Sequence, residues 1–135
     1  MREEIRLITR EEAFKRAERI KKEYELIHGV EFEIYSRYLP PDVLLPTQGE
    51  LSEAKLLVVL QEIKHGYDAP IIVIECRGEY YVIDGHHRAF ALRKLGFPEI
   101  EAIILKPKRD IALGIAETVK RRGLRGLDDI KIVRD

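Results

Sequence analysis

Asp84-Gly85-His86-His87-Arg88 gathers a carboxylate, two imidazoles and a guanidinium around one glycine. Such a set suits an anion, and a phosphate above all. Arg88 offers a planar fork that meets two phosphate oxygens at once. His86 and His87 can donate to phosphate or move a proton near neutral pH. Neighbouring helical residues point about 100° apart, so the two imidazoles are poorly placed to share one ion. No third ligand for a zinc site stands nearby in the sequence. Gly85 lets the backbone approach a phosphate closely and accepts a positive φ. Asp84 has three competing uses for its two oxygens: capping a helix, holding magnesium that bridges phosphates, or orienting a hydroxyl nucleophile.

The flanking residues predict the frame that holds this group. Ile71–Ile74, the turn Arg77-Gly78 and Glu79–Ile83 read as a β-hairpin, with Tyr80 and Tyr81 on opposite faces. Asp84-Gly85 then turns the chain into a helix. Arg88, Ala91, Leu92 and Leu95 recur at helical spacing, and Gly96 is the stop. The free N–H groups at the start of such a helix attract anions.

Upstream, Thr9-Arg10-Glu11-Glu12 is a capping box opening a helix with Ala13, Ala17, Ile20, Tyr24 and Ile27 on one face, stopped by Gly29. Phe32 and Ile34 predict a short strand. Residues 38–50 read mostly as loop, with a short strand near Val43–Leu45. Ser52 caps a helix to about His65, with Leu56, Leu57, Val59, Leu60 and Ile63 as its apolar stripe. Downstream, Ile100–Leu105 is a strand, Asp110–Arg122 a helix stopped by Gly123, and Ile130–Val133 a last strand or a tail. The pattern predicts one α+β domain over residues 1–135: a small mixed sheet of about four strands with helices packed on it.

The 135 residues carry 24 basic and 24 acidic side chains, yet these are unevenly spread. Residues 1–85 hold 12 basic and 17 acidic; residues 86–125 hold 10 and 4, a basic stretch that favours an anionic partner. The single cysteine, Cys76, excludes an internal disulfide and a multi-cysteine zinc site. A charged start and the lack of any apolar run near 18 residues argue against a signal peptide or membrane span. The cytoplasm is the expected location. Asparagine is absent and 36% of residues are charged, which resembles a hyperthermophile composition.

At the Asp84–Arg88 turn the chain resembles the ParB/sulfiredoxin superfamily. Sulfiredoxins carry Gly-Cys-His-Arg after a strand, where this chain has Gly85-His86-His87-Arg88. ParB chromosome-partition proteins carry Gly-Glu-Arg-Arg-x-Arg-Ala, of which Gly85, Arg88 and Ala91 remain. Archaeal free-serine kinases carry Asp-Gly-His-His-Arg, intact here as Asp84 to Arg88. The likeness spans about residues 35–107. It takes in Leu45-Pro46-Thr47-Gln48, then Ser52-Glu53-Ala54-Lys55, then Pro70-Ile71-Ile72-Val73.

The resemblance implies a nucleotide site. Lys55, Thr47, Gln48, Gly85, His86, His87 and Arg88 would hold phosphates. Asp84 would hold Mg2+ or act in catalysis with His87, and Glu50 would be the general base from the loop before the second helix. ADP or ATP is the implied nucleotide, with CTP as a further choice, and a small hydroxyl compound the acceptor. His86 replaces the sulfiredoxin cysteine, which argues against sulfinate reduction. His86, His87 and Phe90 replace three ParB motif residues, which ranks nucleic-acid binding or nuclease activity second. A non-catalytic nucleotide sensor is the third reading.

Overall fold

The structure, a computed structural model, describes residues 5–135. Helix α1 (Arg10–His28) starts from the full capping box: Thr9 accepts from the Glu12 N–H and Glu12 reaches back to the Thr9 N–H. It stops at Gly29 in the left-handed region. Strand β1 (Phe32–Leu39) follows, then a 3-10 turn at Pro41–Val43, β2 (Leu44–Pro46), β3 (Glu50–Ser52) and helix α2 (Glu53–Lys64). Ser52 caps α2 through the Lys55 N–H. The hairpin β4 (Ile71–Cys76) and β5 (Glu79–Asp84) leads into α3 (His86–Lys94). Then come β6 (Ile100–Pro107), α4 (Gly114–Arg121) and β7 (Lys131–Val133).

The main sheet has five strands in the order β1-β6-β4-β5-β2, and β3 with β7 forms a separate two-stranded ribbon. Pairing is mixed: β1/β6 and β4/β5 are antiparallel, β4/β6 and β2/β5 parallel. Both faces are covered. Ile71, Val73, Val82 and Ile104 pack with Leu56 and Val59 of α2 and Ala89 and Phe90 of α3. Ile72, Ile74, Tyr81 and Ile103 pack with Ala13 and Ala17 of α1, with Leu113 just before α4 and with Val119 of α4. A sheet buried on both sides needs continuous apolar strands rather than alternation, which is why Ile71–Ile74 reads as an unbroken run.

Several expectations change. Beside the roughly four strands expected, the main sheet has a fifth and there is a ribbon besides, because three-residue strands such as β2 and β3 leave little pattern. The strand expected near Phe32–Ile34 runs on to Leu39, since all eight of its residues pair with β6. The helix expected from Asp110 begins at Gly114, because Leu113 is extended and buried against the sheet. Ile27 on α1 and Leu57 on α2 face solvent instead of the core. Cys76 is a buried strand thiol, and Tyr81 is the tyrosine of its pair that enters the core. No helix among the described residues is long and apolar enough to cross a membrane.

Candidate functional site

The end of β5 is bent by a bulge. Ile72 pairs with Asp84 and Val73 with Val82, so Ile83 is an extra residue. A bulge breaks the strand's alternation and re-aims the side chain beyond it. Asp84 consequently stands between the α1 layer and the α3 layer. Gly85 follows at φ +93° as the residue before α3, and no side chain caps that helix. The capping role open to Asp84 in the sequence is therefore not the one it takes.

Asp84 instead joins two arginines. Its Oδ1 accepts from Arg16 Nη1 at 3.0 Å and its Oδ2 from Arg88 Nη2 at 3.2 Å. Arg88 is buried, and the same Nη2 also donates to the Pro70 carbonyl at 3.2 Å. Its Nε is buried with no partner among the described residues. Gly85 is required by this arrangement as much as by the turn: a Cβ there would lie 2.6 Å from Arg88 Nη2 and 3.0 Å from Ile71 Cγ2.

The histidines diverge as their helical spacing demands, each to its own backbone donor. His86 Nε2 accepts from the Thr47 N–H at 3.0 Å, and His87 Nε2 from the Ser52 N–H at 3.1 Å. They thus stitch the start of α3 to the loop after β2 and to the start of α2. An Nε2 that accepts carries no proton, so each neutral ring keeps its hydrogen on Nδ1. Burial pushes His86 down to about 4. Burial, with the charges of Lys55 and Arg88, pushes His87 down to about 4. Burial thus favours the neutral form of both rings at pH 7.

A depressed histidine makes a signed prediction. Between about 4 and the unfolded value of about 6.5, the unfolded chain binds more protons than the folded one. Their contribution is therefore fully present above that interval and is lost as pH falls through it. His86 should account for on the order of 2–3 kcal/mol, and half-buried His87 for less. Thermal melts between pH 7.5 and 4.5 should show a falling midpoint, and His86→Gln, which keeps an acceptor but does not titrate, should flatten the curve. An equal slope in the variant would mean that other groups set the acid limit.

A cavity of about 370 Å3 opens here. Of the residues expected at a site, Gln48, Lys55, Asp84, Gly85, His86, His87 and Arg88 line it together. Thr47 stands behind His86, its hydroxyl donating to the Val82 carbonyl at 2.7 Å. Glu50 does not line the cavity; its side chain is exposed on β3, and its carbonyl accepts from Gln48 Nε2. The sequence reading missed Arg6 and Arg16, which also line it. Only the small residues Ala13 and Ala17 flanking Arg16, which let α1 lie close to the sheet, hinted at its position.

The chain's later segment also reaches this region. Asp135 accepts from the Ser52 hydroxyl and the Ala54 N–H at the start of α2, contacts that hold its carboxyl below the usual range. Arg122 lies over Gly49, where a Cβ would meet its Nη2 at 2.6 Å.

The donor set does not fit a magnesium ion caged by protein. Asp84 is the one carboxylate among the described residues of the cavity lining, and both its oxygens face guanidinium groups. No group of three or more His, Cys, Asp or Glu able to hold a metal occurs among the described residues.

The geometry thus defines a mixed-sheet α+β domain whose cationic cavity opens at a strand–turn–helix. The chain belongs to the ParB N-terminal domain family, which it matches over residues 32–119, and so to the ParB/sulfiredoxin superfamily. It is 36% identical over 121 residues to an uncharacterized protein of Methanocaldococcus jannaschii, a match covering 88% of this chain and 45% of that protein. It is 32% identical over 111 residues to an ATP-dependent L-serine kinase of Staphylothermus marinus, covering 66% of this chain and 44% of the kinase. A crystal structure of an Agrobacterium tumefaciens protein shares the fold, with a TM-score of 0.54 at 19% identity over 68% of this chain and 50% of that one. The chain spans less than half the length of these two curated relatives.

Proposed function

We propose that the cavity binds a nucleoside di- or triphosphate and that the chain transfers its terminal phosphoryl group to a small hydroxyl compound. The observation that carries this reading is that Arg16 and Arg88, both paired with Asp84, line one cavity with Lys55 at the start of α3. Phosphoryl transfer needs little covalent help from a protein; it needs phosphates held in place and charge neutralised. The similarity to the ATP-dependent L-serine kinase of Staphylothermus marinus supports the same class. In the step itself, the acceptor oxygen bonds to phosphorus, the bridging P–O bond to the nucleotide breaks, and the hydroxyl proton leaves to a carboxylate. Asp84 is the candidate for aligning the hydroxyl. Glu50 is the candidate base by resemblance alone, since its exposed side chain on β3 lies outside the cavity lining and would have to turn in to take the proton. Magnesium belongs to this reading as a counter-ion on the nucleotide's own phosphates.

The test is phosphate transfer from ADP, ATP or CTP to a panel of small hydroxyl compounds, serine and sugar alcohols first. Asp84→Asn keeps size and one acceptor oxygen, so the fold should persist, while the rate should drop at least about tenfold, on the order of 1.4 kcal/mol. Glu50→Gln in the same assay tests the base. An Asp84→Asn variant as fast as wild type would remove Asp84 from the mechanism. Binding without transfer to any acceptor would make the chain a nucleotide sensor.

A further inference from the structure

We propose that Arg16 is a polyphosphate ligand of this cavity, carried in by α1 from outside the segment that matches the family. The inference rests on the reading that the cavity takes nucleotide phosphates. Arg16 precedes the family match at residue 32, so nothing in that match assigns it a role. The structure places it on the cavity wall with its Nη1 3.0 Å from Asp84.

Three ties fix α1 where it can present this side chain. The capping box sets its start. Arg10 forks onto Glu101 with two contacts of 2.6 Å. The Tyr67 hydroxyl donates to the Ile8 carbonyl at 2.6 Å, just ahead of the helix. Between them, the buried Ala13 and Ala17 seat the helix on the sheet without bulk. Arg16 is therefore delivered on a rigid element rather than a loop, which is what precise phosphate contact requires.

Charge decides the ligand. Arg6 at the rim is matched by Glu12 at 2.8 Å. Among the described lining residues that leaves Arg16, Lys55 and Arg88 against Asp84, and the neutral histidines add no charge. The surplus positive charge calls for an anionic ligand, and its spread over α1, α2 and α3 suits a di- or triphosphate, whose charges are also spread, better than a single phosphate group. Asp84 serves both guanidiniums at once, so it aims Arg16 and Arg88 toward a shared polyanion. The same arrangement supplies neutralisation without a protein-held metal.

The experiment is calorimetry with AMP, ADP, ATP and pyrophosphate, with magnesium and with chelator, on wild type, Arg16→Ala and Arg16→Lys, with melting points alongside. Arg16→Ala should weaken ADP, ATP and pyrophosphate by about tenfold or more, and AMP by less than about threefold. Arg16→Lys keeps the charge but not the fork and should fall between. Wild-type affinity for ADP in chelator should stay within about threefold of that with magnesium. Equal affinities in wild type and Arg16→Ala would overturn the inference and leave the nucleotide reading standing. A loss that is the same for AMP and ATP would overturn it too. Failure of wild type to bind any of the four would overturn the nucleotide reading itself.

Discussion

Replacing Arg88 with alanine is expected to lower nucleotide affinity about ten- to a hundredfold, the loss of charge-assisted contacts worth on the order of 1.5–3 kcal/mol. The expectation comes from how the guanidinium is held. Arg88 is buried, its Nη2 is spent on Asp84 and Pro70, and its Nε has no partner among the described residues. A buried donor without an acceptor is costly, and a ligand oxygen would relieve that cost. The fold should suffer as well, because the Pro70 carbonyl and one Asp84 oxygen lose their donor. Calorimetry with ADP, ATP and CTP, read beside the melting temperature, separates the two effects. A lowered melting point with unchanged affinity would make Arg88 a structural residue only.

Gly85→Ala should be nearly as damaging for a different reason. The backbone there has φ +93°, and a side chain in that region costs on the order of 1–3 kcal/mol. The new methyl would also press on Arg88 Nη2 at 2.6 Å and Cζ at 2.9 Å. Gly96 supplies the control. Its φ is +85°, yet nothing lies within 4 Å of its missing Cβ. Gly96→Ala should therefore lower the melting temperature through strain alone and leave nucleotide affinity intact. Gly85→Ala should lower both. If the two variants behave alike in binding, the contact between Gly85 and Arg88 has no functional weight.

What the sequence made legible was local. The Thr9 capping box, the Ser52 cap and the stops at Gly29 and Gly96 each depend on residues within one or two turns, and each stands in the structure. The Asp84–Arg88 turn was readable for the same reason. Long-range pairing was not. Arg16 meets Asp84 across 68 residues, and no pattern of charge or periodicity marks that partnership. The bulge at Ile83 arises from pairing with β4 and leaves no trace in the composition of β5. The histidine pair looked like chemistry because of its residue types, while its contacts are to the Thr47 and Ser52 amides. Burial, which one-dimensional spacing does not report, decides that both rings are neutral.

The ribbon of β3 and β7 has a consequence for the order in which the molecule assembles. Its three pairs join Glu50–Ser52 to Lys131–Val133, and Asp135 reaches Ala54 across 81 residues of chain. A loop of that length closes late, after the hairpin β4–β5 and the helix that follows it have already formed from local contacts. The start of α2 is therefore completed late, and so short a ribbon is among the first parts to reopen. Lys55 and the amide that holds His87 lie on that late-forming edge, whereas Asp84 and Arg88 lie on the early one; the Arg16–Asp84 pair, 68 residues apart, is a late closure too. The cavity has one wall set by the central sheet and another that assembles and loosens on its own clock.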